Sequence, residues 1–414
     1  MTVSLYDGRL LNEWMRDNGF SERHADQLRT HLIRRPCGSM DDLVSGVPDF
    51  DRKCARRVAE AGRRRELSCM TSRIGAVREC ARTTKLQVNL QDGSSVETVI
   101  IRQSSWTTLC ISSQVGCAQG CTFCATGTMR TAKNLSAGQI VEQVVLCQRF
   151  SLPKGFRIVF MGMGEPFANY NAVIDAITTL TNPKLFGMAR RHITVSTVGI
   201  IPRMKTFARD APGVNLALSL HAPTQPLRMR IVPSGSAYPV QALMRALDEH
   251  LANSPPKTRV FVECIVIKGI NDSKDVGRQL GALICEGGPK RKEGVILNLI
   301  PYNPTKTKET FEAPSPADVT DLQKCLTDEF GLRCYTRREM GQDIDSACGQ
   351  LVLESNRKRQ SAEIEDIVQP SVPTLGTTIP ERPSQPARPS ILIGVALSCI
   401  CTALLLHTTR LILS

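Results

Sequence analysis

Between residues 105 and 330 the apolar positions switch repeatedly between two periods. Short continuous apolar runs (TTLCISS, RIVFMGMGE, HITVSTVG, VNLALSLHA, RVFVECIVI, GVILNLIPYN) read as strands. Each is followed by a stretch with helical spacing: SAGQIVEQVVLCQRF, YNAVIDAITTLT, IPRMKTFARD, VQALMRALDEHL, SKDVGRQLGALICE and SPADVTDLQKCLTDEF. Ser136 stands where the first of these helices needs a cap. Strands apolar on both faces imply a parallel sheet covered by helices. Six such β–α units predict an α/β fold, either a doubly wound sheet or an open, partial (βα)6 barrel. In both, ligands sit at the carboxyl ends of the strands. Gly164, Glu165, Ser196, Ser219, His221 and Asn303 collect at those ends.

The flanks follow other patterns. KLQVNLQDGSSVETVIIR alternates with period two around Asp92-Gly93, a hairpin signal. Residues 1 to about 80 read as short helices. LLNEWMRDNGF places Leu10, Leu11, Trp14 and Met15 on one face, and DRKCARRVAEAGRRRE is strongly basic. After Val352 the periodicity fails, and a Pro/Ser/Thr-rich stretch follows. Ile391 to Leu406 then carries no charge. The expected organisation is a basic helical accessory domain over 1–80, a catalytic domain over 85–355, a linker over 356–390 and a candidate C-terminal membrane anchor over 391–409. A spanning helix needs about 17–25 apolar residues, and the charge-free stretch from Pro389 to Thr409 reaches that length.

Charge narrows the partners. The 414 residues hold 52 Lys+Arg against 39 Asp+Glu, a net +13, which favours a polyanion: nucleic acid or an acidic membrane surface. Arg52, Lys53, Arg56, Arg57, Arg63, Arg64 and Arg65 form either a solvated helix face or a set of phosphate contacts. Sixteen cysteines would suit a secreted disulfide scaffold only behind a signal peptide, and Asp7, Glu13 and Asp17 interrupt the place where one would stand. Reduced thiols and a cytoplasmic setting are expected, with an organelle as the alternative.

Three of those thiols crowd one loop: Cys117, Cys121 and Cys124 in CAQGCTFC. Structural zinc sites usually draw on two separated Cys pairs. Three thiolates can instead hold three irons of a four-iron–four-sulfur cube, leaving the fourth iron open to a chelating ligand. Zinc with a distant fourth ligand and three inert buried thiols are the competing readings.

The Cys-x3-Cys-x2-Cys spacing resembles the radical S-adenosylmethionine (SAM) superfamily. Together with TLCISSQVGCAQGCTFCATG, FMGMGEP, STVGIIPRM, LALSLHAP, NLIPYNP and GQDIDSACGQL it resembles the RlmN-like radical SAM adenine methyltransferases of ribosomal and transfer RNA, over roughly residues 1–355. The resemblance implies a [4Fe-4S] cluster on Cys117, Cys121 and Cys124, and SAM contacts at Gly164, Glu165, Ser196, Ser219, His221 and Asn303. It implies Cys348 as methyl acceptor, Cys110 as its partner thiol and Glu97 as proton acceptor, although Glu97 by itself reads as a solvated strand residue. Two SAM molecules per turnover, an electron donor such as flavodoxin or ferredoxin, and a monomer complete the expectation.

Such chemistry answers a physical need. The C2 carbon of adenine has no lone pair with which to attack a methyl sulfonium. The implied route passes through S-methylated Cys348 and a covalent RNA adduct, resolved when Cys110 attacks the Cys348 sulfur. Two thiols can close that disulfide only within about 7 Å of Cα separation, so the C-terminal segment must fold back over the mouth of the sheet. Methylation at C8, or a non-catalytic zinc-bearing RNA-binding protein, are the alternatives.

Overall fold

Helical spacing in the N-terminal part folds as expected, up to a point. A short strand β1 (Val3–Ser4) leads into α1 (Gly8–Asp17), α2 (Glu22–Arg34), α3 (Met40–Gly46) and α4 (Arg52–Arg63), and β2 (Leu67–Ser68) returns to pair with β1. The Asp7 carboxylate caps α1 by accepting the Leu10 N–H, and Leu11 and Met15 face the core. Helix ends at Arg63, not near residue 80. The segment Arg73–Cys80 is instead strand β3, at one end of the main sheet, with nearly every side chain exposed. An edge strand lying in the open shows no buried face, so its sequence carries no alternation to read.

Strands β4 (Thr83–Asn89), β5 (Ser95–Arg102) and β6 (Thr107–Cys110) continue from β3 as an antiparallel meander. Gly93, at φ +83°, makes the expected turn between β4 and β5. Two short strands, β7 (Gln114–Val115) and β8 (Lys133–Asn134), bracket the cysteine loop.

From there strand and helix alternate: α5 (Ala137–Cys147), β9 (Phe156–Phe160), α6 (Tyr170–Thr181), β10 (Ile193–Thr197), α7 (Ile201–Asp210), β11 (Asn215–Ser219), α8 (Gln225–Ile231), α9 (Val240–Asn253), β12 (Val260–Val266), α10 (Lys274–Cys285), α11 (Gly288–Gly294), β13 (Val295–Pro301), α12 (Pro316–Lys324) and β14 (Cys334–Thr336). The sheet order is β14-β13-β12-β11-β10-β9-β6-β5-β4-β3, parallel from β14 through β6. All six expected units are present, with β14 added as a seventh parallel strand. At three residues it is too short to leave an apolar run. Ser136 caps α5 through a capping box with Gln139.

Buried polar contacts tie the N-terminal helices to this sheet. Glu142 on α5 is buried, and its carboxylate accepts the Ser4 hydroxyl at 2.5 Å, the Thr71 N–H at 2.7 Å and the Ser72 hydroxyl. Arg29 on α2 reaches Thr179 Oγ1 on α6 at 2.8 Å. The computed structural model describes residues 2–351 apart from 130, 131, 154, 257, 306, 308 and 338–340, all within one compact unit spanning Met1–Ile364. The linker and anchor expectations over 356–409 lie outside the described residues. Among the described residues no helix is long and apolar enough to cross a membrane.

Candidate active site

The cysteine loop is shaped by local bonds. Cys124 N–H donates to Cys121 O at 3.1 Å and Gly127 N–H to Cys124 O at 3.0 Å, while Gly120 takes φ +67°. A Cβ on Gly127 would meet the Cys121 backbone at 2.9 Å, so only glycine lets the loop close on itself. Cys117, Cys121 and Cys124 line one cavity together with Cys110, Gly164, Glu165, Ser196, Ser219, His221 and Cys348. Of the expected site residues, only Asn303 and Glu97 are missing from that wall.

Glu165 is fixed at the end of its strand. Its carboxylate is buried and accepts the Phe167 and Val198 N–H groups, each at 2.9 Å. Burial raises its pKa to about 7, with the two N–H bonds opposing the shift. Gly164 lies at φ +103°, and a Cβ there would stand 2.6 Å from Gln114 Cβ. The strand end can therefore approach β7 only as glycine. Gln114 completes the arrangement by accepting the Glu165 N–H at 2.8 Å.

The next strand ends converge on the same space. Ser196 and Ser219 share a hydrogen bond of 3.1 Å between their hydroxyls. His221 is buried at φ +64°, with Nδ1 accepting the Ile265 N–H at 3.1 Å and its ring edge-on to Phe123. Burial, and then the Arg228 charge, lower its pKa to about 3. The ring is neutral at physiological pH and leaves Nε2 as a donor.

The two remaining thiols meet at the mouth. Cys110 ends β6, opposite Val99 on β5 and Val159 on β9. The segment carrying Cys348 folds back onto the cysteine loop, as expected. Ala125 N–H donates to Gly349 O at 2.7 Å, and Thr126 Oγ1 to Leu351 O at 2.5 Å. Asn303 sits behind this segment: its Nδ2 donates to Cys348 O at 3.2 Å, and its Oδ1 accepts from Gln342. Cys110 is half-buried and its pKa is pushed up to about 12, by burial first and then by the neighbouring Cys348. Cys348 is exposed at the rim, yet the walls around it still raise its pKa, with the Arg337 charge opposing.

Glu97 differs from its expected surroundings. It is buried on β5, not solvated, and its carboxylate pairs with Lys85 at 3.1 Å. Lys85 Nζ also donates to Asp345 O at 3.1 Å, linking Glu97 to the segment that carries Cys348. The burial follows from register: β5 lies inside the sheet, between β4 and β6.

Two charged residues at this site carry no sequence signal. Glu263 on β12 and Arg337 beyond β14 both line the cavity and lie 3.7 Å apart. Neither belongs to a conspicuous motif; Glu263 sits inside the apolar run VFVECIV. Arg228 is equally silent in the sequence. It is fully buried, and its Nη2 donates to the Val198 carbonyl at 2.5 Å, bracing the residue whose N–H serves Glu165.

The donor set fits an iron–sulfur cluster. Burial raises Cys117 to about 12 and lifts Cys121 and Cys124 as well. Such thiols become thiolates only where a cationic centre offsets the burial. Three soft donors on one loop, with a carboxylate and glycine backbone facing them, leave a position for a ligand bearing both an amino and a carboxylate group. Among the described residues no three His, Cys, Asp or Glu side chains stand together as a site for a single metal ion.

Comparison with known proteins agrees with this architecture. The radical SAM superfamily pattern matches residues 111–276. A "Probable dual-specificity RNA methyltransferase RlmN" of Symbiobacterium thermophilum is 41% identical over 281 residues, 67% of this chain and 72% of that protein. A "Ribosomal RNA large subunit methyltransferase N" of Nitrosopumilus maritimus is 35% identical, covering 83% of this chain and 97% of its own. The crystal structure of a radical SAM methyltransferase from Sphaerobacter thermophilus superposes with a TM-score of 0.73 at 32% identity, covering 84% of this chain and 99% of that one.

Proposed function

The chain belongs to the RlmN-type family of radical SAM RNA methyltransferases, and we propose from that premise that it methylates C2 of an adenine in ribosomal and transfer RNA through a methylated Cys348. The observation that carries the proposal is the shared cavity: Cys110 and Cys348 line the same space as the three loop cysteines.

Cys117, Cys121 and Cys124 would hold the cluster. When bound, it supplies one electron that cleaves SAM and so delivers a radical able to take a hydrogen atom from a methyl group. Glu165, paired with backbone donors, accepts a hydrogen bond from the SAM amino group and orients it, and Gly164, Ser196, Ser219 and neutral His221 complete that binding wall. Asn303 acts from behind, by holding the Cys348 carbonyl. Two SAM molecules serve one turnover, the first as methyl donor to the Cys348 sulfur.

After the methylene radical has bonded to C2, the adduct gives up one electron, which the bound cluster would take back, and the ring proton leaves to Glu97, positioned through the Lys85 pair. The Cys110 thiolate then attacks the Cys348 sulfur. The S–C bond breaks with its electron pair going to carbon, which takes a proton to become the product methyl, and a disulfide forms. Residues 1–80 act as the RNA-binding accessory domain, and a flavodoxin- or ferredoxin-like protein supplies the electrons.

The test uses anaerobically reconstituted full-length protein and an RNA hairpin. Wild type should yield 2-methyladenine by mass spectrometry. Cys348→Ala should give none, and Cys110→Ala should accumulate a covalent protein–RNA species. Normal turnover by Cys110→Ala would overturn the assigned resolution step, and 8-methyladenine would move the reaction to the C8 branch.

A further inference from the structure

Cys348 faces two cavities. One is shared with the loop cysteines. The other runs past Arg337 and Asn303 to Trp106, Tyr335, Gln103 and Arg82. Trp106 is 38% and Tyr335 57% exposed, and they are the two aromatics among the large hydrophobic side chains lying in the open among the described residues. The Arg157 guanidinium lies over the Trp106 ring, 4.4 Å from its centroid, and fixes that ring in place.

Trp106 immediately precedes β6, whose last residue is Cys110. Four extended residues separate them by about 13 Å. The ring therefore stands at the opposite end of the sheet from the cysteine loop. Arg157, Arg191 and Arg259 stand at the starts of β9, β10 and β12, around an adjoining cavity that also reaches Arg337. No carboxylate pairs with Arg82, Arg157, Arg191 or Arg259 among the described residues. On and just after α4 the cations divide: Arg57 pairs with Glu66, Arg63 with Asp41 and Arg64 with Glu60, while Arg52, Lys53, Arg56 and Arg65 have no carboxylate partner among the described residues. Arginines without acidic partners beside exposed aromatic faces are what a single-stranded nucleic acid requires, cations for phosphates and flat rings for bases.

We propose that this rim binds the RNA strand next to the target adenine, with a base a few steps away stacked on Trp106 and its phosphates held by Arg82, Arg191 and Arg259. The inference rests on the RNA-methyltransferase reading and adds the route of entry. The base on Trp106 is not the target itself, because the reacting carbon must come within bonding distance of the Cys348 methyl group, whereas Trp106 stands about 13 Å along the strand from Cys110; at roughly 3.4 Å per stacked nucleotide that places it about four steps from the target. Stacking accepts any base, so the platform governs affinity and alignment while the Cys348 end governs which ring carbon reacts.

The chain has two tryptophans, Trp14 and Trp106, so Trp14→Phe leaves Trp106 as the sole indole reporter. Reconstituted Trp14→Phe protein is titrated with a fluorophore-labelled adenine-containing RNA hairpin, following anisotropy and indole emission together. The expected result is saturable quenching that tracks binding, with inorganic polyphosphate giving none. Trp106→Ala should bind the hairpin roughly five- to a hundredfold more weakly, and Trp106→Phe should restore most of the affinity. Binding with unchanged indole emission, or equal affinity in Trp106→Ala, overturns the platform alone. No binding of the hairpin at all would instead overturn the RNA reading on which it rests.

Discussion

Three cysteines and two cysteines reach the same cavity by opposite routes. Cys117, Cys121 and Cys124 arrive together on one loop, shaped by bonds among its own residues and anchored by bonds to Ile231 and Thr305. Cys110 and Cys348 arrive separately, one at the end of β6 and one on a segment fastened from outside. The first set is encoded by eight consecutive residues, so its members are neighbours whatever the rest of the chain does. The second exists only while sheet register and the return of the C-terminal segment both hold.

Breaking the local set has the largest expected effect. Any of Cys117→Ala, Cys121→Ala or Cys124→Ala should abolish iron binding and all SAM cleavage, measured as iron per chain and 5′-deoxyadenosine formed. Stoichiometric zinc with no iron–sulfur absorbance in the wild type would sink the cluster reading. The wall facing that loop comes next. The proposed hydrogen bond from the SAM amino group requires ionised Glu165, whose pKa is raised to about 7, so the carboxylate is protonated below that pH and charged above it. SAM affinity should therefore rise with pH through about 7 and level off beyond. Glu165→Gln should weaken binding roughly ten- to a hundredfold, the range for removing a charge-assisted hydrogen bond. It should also flatten the profile. Calorimetric titration reads both, and an unchanged pH profile in the variant would remove Glu165 from the proposed SAM amino-group site.

The distant set should yield to a gentler change. Gln350 Nε2 donates to Pro304 O at 2.9 Å, and its Oε1 accepts the Ala347 N–H at 3.1 Å. Gln350→Ala removes both of these bonds, neither of which is made to the cysteine loop. Resolution of the RNA adduct should slow roughly five- to thirtyfold, the range for two hydrogen bonds, while iron content stays at the wild-type value. An equal fall in iron would show that the two sets are not independent. The smallest effect concerns α4. Arg52, Lys53, Arg56 and Arg65 are exposed. Replacing these four with Gln should reduce the salt dependence of RNA binding by roughly 0.7–0.9 in slope for each phosphate no longer neutralised. An unchanged slope would return α4 to a solvated surface and leave the rim around Trp106 as the main phosphate-binding face.

Local spacing alone announces the six β–α units, the hairpin at Gly93, the Ser136 cap and the loop of three cysteines. Each depends on residues a few positions apart, where apolar period, turn chemistry and spacing are set by the nearby backbone. The family motifs also point to Gly164, Glu165, Ser196, Ser219 and His221, and their places at successive strand ends already predict that they converge on one pocket. Everything else waits for the folded chain. Folding buries Glu97 against Lys85, because a strand inside the sheet loses its solvent. It turns Arg73–Cys80 into an edge strand that no buried face announces. It sets Asn303 behind Cys348, and it brings Arg337, Glu263 and Trp106 to cavities around the same thiol from strands far apart in the chain. Such placements follow from strand order and from the return of the C-terminal segment. These are long-range pairings, and each partner's local sequence carries no trace of the other.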